Sequence, residues 1–489
     1  MKKYIKSKVL IIAVLLISVG CEDFEPNKNI ENPNLLLENV IGSPGSTASW
    51  IVGQEREMAI LYNQLLTLTE LGSDNYENTQ TFYNQQFDGL NMSFQDTEIN
   101  TLAFRIADLR VSGNIGLQDI QPADPDGTDA QRAELLFFTG WAKLLAGELF
   151  VSLPDTELPE ADPATPKSPT ENLQAAIVDF LAAEALDGTN AGIKLALARA
   201  YYALGDQTNA VTKANEALAL DDEYVRTVEF DGSNGPTNTM ADAVFQRGNF
   251  DDLQPLPRLD FLDPKYIVLG EDESPIAIQK SEEAYLILAE AELADSDIPG
   301  AQAALTSLLS LVNTRPSHLD PGAPVQDVTF DDAVEGRVGG GSIQRPNADS
   351  VTVAASDSDP FVAGLVLTRG VNPVAVPAIS GTSVVQADID ALATIEDALE
   401  LVYLMRQEIF FGEGRRFFDL GLKMPISENE QLTNPNVSSS DIQSFIPSFI
   451  PADMDAFTID AANGQITITH NMNAVIVQNR TDNSVVPFF

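Results

Sequence analysis

The stretch "NAGIKLALARAYYALGDQTNAVTKANEALALDD" (190–222) decides how this chain folds. Apolar residues recur at helical spacing on both sides of Gly205–Asp206, which predicts two helices joined by a tight turn. Ala198, Tyr201, Gly205, Ala210, Ala217, Leu218 and Leu220 fall at tetratricopeptide spacing. In such a unit small residues let the two helices approach, and larger ones fill the groove to the next pair. One pair cannot bury its own apolar face, so others must stack on it. A looser copy is "SEEAYLILAEAELADSDIPGAQAALTSLLSLVNTRP" (281–316), with Tyr285, Ala289 and Ala291 on its first helix and Ala301, Ala304 and Leu308 on its second. "DAQRAELLFFTGWAKLLAGELF" (129–150) with "TENLQAAIVDFLAAEAL" (170–186) makes a further, degenerate pair, for which Asp129 and Thr170 are the expected N-caps. "SWIVGQEREMAILYNQLLTLTEL" (49–71) reads as a long amphipathic helix ahead of them.

Between the helices lie long non-helical stretches at 72–97, 151–169, 223–280 and 313–390. Loops of that length carry function or small extra structure. Residues 361–386 look partly extended, and "AFTIDAANGQITITHNMNAVIVQ" (456–478) alternates around Asn463–Gly464, a hairpin signal. The expected fold is mainly α: one domain over 35–489, built on tetratricopeptide-type helix pairs with long irregular loops and minor β-hairpins.

Ahead of that domain, "MKKYIKSKVLIIAVLLISVGC" (1–21) has a basic start and an apolar run from Val9 to Ile17, shorter than the ~20 residues that span a bilayer. It ends at Cys21, the one cysteine of the chain. A small residue before a cysteine suits lipoprotein signal peptidase, although Ser18 stands where such signals commonly have Leu; ordinary secretory cleavage beside an incidental cysteine is the competing reading. The expectation is a signal peptide over 1–20, lipidation at Cys21, a polar tether over 21–34, and attachment to the membrane by the lipid alone. The charge is one-sided, with 28 Lys+Arg against 72 Asp+Glu. Removing 1–20, which holds four lysines and no acid, moves the balance from −44 to −48. Such a field repels nucleic acid and anionic membrane surfaces.

The residue types for common catalytic sites are sparse. His318 and His470 are the only histidines, and no cysteine remains after lipidation, so neither a Ser-His-Asp triad nor a histidine zinc site is indicated. Glu408 and Glu413 resemble a glycosidase pair in type, but their neighbours Arg415, Arg416 and Asp419 favour structural ion pairs. The Gly-rich "EGRVGGGS" (335–342) lacks the Gly-Lys-Ser/Thr of a phosphate loop. No cofactor is called for except calcium, hinted at by Asp124, Asp126 and Asp129; their spacing departs from the EF-hand template and Asp129 has capping work to do. The chemistry best represented is sugar recognition. "SDNYENTQTFYNQQFDGLN" (73–91) interleaves Tyr76, Phe82, Tyr83 and Phe87 with amides that include Asn78 and Asn84. Aromatic rings stack on the C–H face of a sugar and amides bond its hydroxyls; at least one of Tyr76 and Tyr83 is expected to face ligand. The bland alternative is that two of the four aromatics pin the loop to the core. Trp50 fits either role, Trp141 reads as core, and Arg369, Asn372, Asn234 and Asn238 are further loop candidates.

"LVYLMRQEIFFGEGRRFFDLGLKMP" (401–425) carries a family resemblance. Glu408, Glu413, Gly414, Arg416, Phe417, Phe418, Asp419 and Leu420 match the C-terminal signature of the SusD/RagB lipoproteins of Bacteroidetes, "AELLFFTGWAKLLAGELFVSLP" (133–154) resembles their early helix, and "LDPKYI" (262–267) resembles their DPR segment with Lys265 in place of Arg. The resemblance implies a non-enzymatic, lipid-anchored protein on the outer face of the outer membrane, acting as the lid of a SusC-like TonB-dependent transporter. It implies capture of an oligosaccharide, with peptide capture of the RagB kind, or a transporter scaffold without a ligand of its own, as alternatives. It also places the loop after the first long helix in the glycan platform.

Overall fold

The computed structural model describes residues 40–78, 85–157, 162–246, 253–269, 272–317, 351–367, 375–460 and 462–489. Helix α1 (Ser46–Leu71) follows Gly45, whose positive φ of 75° turns the chain into it. Helix α2 (Thr97–Ile115) starts where the Asp96 side chain accepts the Glu98 N–H. Helix α3 (Asp129–Leu149) is capped by Thr128 and not by Asp129: Thr128 and Gln131 exchange side-chain and backbone bonds as a capping box. Helix α4 (Pro169–Leu186) is capped two positions earlier than expected, by Ser168 with Glu171, which leaves Pro169 in the first turn where its missing N–H costs nothing.

The α3–α4 pair packs through glycines. A Cβ on Gly140 would lie 2.6 Å from the Phe180 ring, and one on Gly147 would lie 2.7 Å from Leu173. The tetratricopeptide stretch folds as expected into α5 (Ala191–Ala203) and α6 (Gln207–Leu220), with Gly205 at φ 72° in the turn and Asp206 capping α6. The looser copy forms α7 (Glu282–Ala294) and α8 (Ile298–Val312). Ala198, Ala210, Ala214, Ala217 and Ala284 bring α5, α6 and α7 together around Tyr202 and Ile287. Tyr201 and Leu218 pack on that cluster from its edge, while Leu220 is exposed and fills no groove.

Small sheets decorate the helices. Strand β1 (Tyr76–Asn78) pairs antiparallel with Leu253–Pro255, and β2 (Val225–Val228) pairs antiparallel with β3 (Ile276–Lys280) across a bulge at Arg226/Thr227. A four-stranded sheet joins distant segments. Within it β4 (Thr352–Ala354) is antiparallel to β5 (Val362–Ala363) and parallel to β7 (Gln465–Ile468), and β7 forms the expected hairpin with β6 (Phe457–Asp460). Gly464 takes φ 62° in that hairpin's turn. The alternation stops there: Asn471 caps a helix, α10 (Met472–Gln478), where sequence spacing predicts continued strand. Helix α9 (Ile395–Ile409) leads into the short turn Arg416–Asp419 of the signature segment. Among the described residues no helix is long and apolar enough to cross a membrane.

Candidate ligand-binding cleft

The signature segment is a buried lattice of charge. Arg406 pairs with Asp419 (2.8 Å), Arg415 with Glu283 (2.6 Å) and Arg416 with Asp74 (2.5 Å). Glu413 receives Lys265 (2.5 Å) and Lys280 (2.6 Å), whose ammonium also donates to the Ile409 carbonyl. Burial lowers the Lys280 pKa to about 8, against the pull of Glu413. Gly412 and Gly414 both have positive φ, which turns their N–H groups onto Glu70 at 3.2 and 2.6 Å. Glu70 has no exposed surface, and burial raises its pKa to about 7 despite those bonds. Glu413 is therefore a structural ion-pair residue, as its charged neighbours predict.

This lattice sets the walls of a cleft of about 470 Å³. Arg416 donates to the Asn473 amide oxygen (2.9 Å), and Asn473 donates to Gln407 (3.0 Å), which fixes Asn473 at the start of α10 on one wall. Asn471 beside it donates to Glu400 (2.7 Å), on the exposed side of α9. Strands β4 and β5 contribute Val353 and Val362 to the lining, with Leu401 and Leu404 of α9 adding apolar surface. Arg258, from the 3₁₀ turn Pro257–Leu262, lines the cleft with a side chain only 12% exposed. Among the described residues its one ion pair is with Glu408, at 4.0 Å, and its Nε–H is buried without an acceptor. Burial pulls its pKa below the ordinary guanidinium value. Glu408 is wholly buried and accepts the Thr382 hydroxyl (2.7 Å) and both the N–H (2.8 Å) and hydroxyl (2.6 Å) of Ser383. Its carboxylate pins the 382–383 loop through these three bonds. Asp359, Asp388, Asp397 and Glu400 ring the remaining opening.

The sequence candidates fall elsewhere or outside view. Tyr76 does not face a ligand: it is fully buried, its ring stacked on Phe411 at a centroid distance of 4.6 Å. Phe87 is buried against Phe417. These two aromatics pin the loop to the core, as the bland alternative has it. Asn78 is half-buried in β1, and its N–H bonds the carboxylate of Asp88. Trp50 is half-buried and donates its indole N–H to the Ser112 carbonyl (2.9 Å), so it clamps α1 to α2. Trp141 is core, as expected, with its indole bonded to Tyr62. Asn238 is a buried helix cap and Asn234 is held in an exposed turn by Asp231. Phe82, Tyr83, Asn84, Arg369, Asn372, His318, the Gly-rich 335–342 and everything expected of 1–34, Cys21 included, lie outside the described residues. The calcium reading is corrected at Asp124, whose carboxylate accepts the N–H groups of Gly45 (3.0 Å), Thr47 (2.8 Å) and Asp126 (2.9 Å) and so staples the start of α1 to the loop before α3. Those bonds hold its pKa down at about 2. Asp126 and Asp129 are exposed, and among the described residues no three metal-ligating side chains converge.

Sequence reading missed Arg258, Asp397, Glu400, Asn471 and Asn473. The available signal was Arg258: in a chain with few cations, an arginine in a long non-helical stretch with no acid at helical spacing needs a distant partner or a ligand.

No family model and no curated protein matches the chain. Solved structures do. A SusD superfamily protein from Bacteroides vulgatus superposes with a TM-score of 0.51 at 12% identity, covering 80% of this chain and 97% of its own. A SusD-like protein from Bacteroides fragilis gives 0.51 at 12% identity, covering 79% and 88%. A SusD-like carbohydrate binding protein from Bacteroides vulgatus gives 0.48 at 13% identity, covering 78% and 83%. The chain shares the fold of these two TM-score 0.51 structures over most of its length.

Proposed function

We propose that this chain is a non-catalytic binding protein that captures a saccharide in the cleft lined by Arg258. The observation that carries the proposal is the composition of that cleft: a buried guanidinium with an unused N–H, carboxylate and amide groups at fixed positions, and an aliphatic wall. A sugar offers hydroxyls that accept from Arg258 and donate to carboxylates, and C–H faces that cover Val362 and Leu401. Ligand hydroxyls would also give the buried Arg258 Nε–H the acceptor it lacks, removing a cost of about 1–3 kcal/mol.

The superfamily fold and the sequence of residues 1–34 support a wider setting. The chain is exported, lipidated at Cys21, held on the outer face of the outer membrane, and partnered with a SusC-like TonB-dependent transporter for which it is the lid. Binding is tested by calorimetry of the full chain against plant and marine oligosaccharides. A saccharide that binds wild type and is lost in Arg258→Gln, with the thermal melt intact, supports the cleft. Binding to a peptide pool alone would replace the saccharide reading, and binding to neither would favour a transporter scaffold. Loss of membrane association in Cys21→Ala tests the anchor, and co-purification with the transporter tests the lid.

A further inference from the structure

Four carboxylates, those of Asp359, Asp388, Asp397 and Glu400, line the cleft against one cation among its described residues, Arg258. Arg258 also faces Glu408, at 4.0 Å, so its single positive charge is outnumbered around the cleft. The carboxylates are held in place. Asp388 accepts the Val385 N–H (2.9 Å), and Glu400 accepts the Asn471 amide (2.7 Å). Asp397 sits in the first turn of α9, its N–H held by the Thr394 hydroxyl at 3.1 Å. We infer that the cleft selects by charge, taking uncharged or amine-bearing saccharides and rejecting those that carry uronate or sulfate groups.

The inference rests on the saccharide reading and adds the ligand class to it. Two physical effects act together. An acidic group on the ligand would lie among fixed carboxylates in a partly dry cleft, where like charges repel more strongly than in water. An amine would make charge-assisted bonds to the same groups. Burial raises the pKa of Glu400 against its bond from Asn471; Asp359 and Asp397 push it further up and Arg258 pulls it down. At longer range the net charge of −44 repels polyanions before contact.

The experiment is an array, followed by calorimetry of the full chain, in which each saccharide appears in charged and charge-blocked form: oligouronates free and as methyl esters, sulfated galactans intact and desulfated, glucosamine oligomers free and N-acetylated. The expected result is at least a tenfold preference for the esterified or desulfated member of an anionic pair at 20 mM salt, shrinking at 500 mM, with glucosamine oligomers bound at least as well as their acetylated forms. In Asp397→Asn/Glu400→Gln that ratio should fall severalfold, an effect that misfolding does not produce. Anionic forms bound equally or better, and lost in Arg258→Gln, would overturn the charge selection and leave the saccharide site standing. Binding to no saccharide in any form, or binding indifferent to Arg258→Gln, would overturn both.

Discussion

Arg416 spends its guanidinium on Asp74 and Asn473, whereas among the described residues the one ion pair of Arg258, with Glu408, is at the edge of ion-pair distance. Breaking a well-made buried pair strands a charge and costs about 3–5 kcal/mol, while a poorly paired buried charge adds little. Arg416→Met should therefore lower stability by about 3–5 kcal/mol, and Arg258→Met should change it by less than about 1 kcal/mol. Urea denaturation of both variants decides this, and equal losses would refute the distinction. Glu70 and Glu290 make a second prediction. Both are fully buried, and burial raises both pKa values from 4.5 to about 7, against the bonds from Gly414 and from Tyr202 respectively. A carboxyl whose folded pKa is raised supports the fold fully below about pH 4.5, and that support drains away as pH climbs through 7. Melting temperature should fall between pH 5 and pH 8, and Glu290→Gln should flatten the slope. A wild-type melting temperature that rises over this range would sink the assignment.

The helix pairs show what a sequence can and cannot carry at the scale of an element. Their 3.6-residue periodicity is local, so α5, α6, α7 and α8 were legible from residues 190–222 and 281–316 alone. Caps were misplaced by one or two residues because Thr128 and Ser168 win through reciprocal bonds with Gln131 and Glu171, which a lone Asp or Thr cannot make. The 73–91 loop misled because Tyr76 and Phe87 are aromatic for the sake of Phe411 and Phe417, partners far along the chain. The cleft was illegible for the same reason: its walls come from separate segments, and no periodicity links them. Packing between α3 and α4 gives this scale its prediction. Gly140→Leu forces side-chain atoms into the space of the Phe180 ring and should cost about 1–3 kcal/mol or more. A chemical melt indistinguishable from wild type would show that the two helices can part freely.

The whole molecule carries far more negative than positive charge, yet its strongest ion pairs are inside. Surface repulsion is screened by salt and buried pairs are not. Raising sodium chloride from about 20 mM to about 500 mM, where the Debye length drops below 10 Å, should raise the melting temperature by several degrees. A fall would mean that exposed ion pairs such as Arg480–Glu396 matter more than the net field.

The parallel seam between β4 and β7, with Thr352 beside Gln465, fixes an order of events. Parallel neighbours need a crossover, and here everything from 355 to 464 lies between them, α9 included. A chain emerging N-terminus first can stack its helix pairs long before β7 exists, while the cleft waits for Asn471 and Asn473. The scaffold is thus a product of early synthesis and the proposed binding cleft of its last moments. A chain cut short before residue 457 would keep every helix of the repeat and lack the Asn471–Asn473 wall of the cleft.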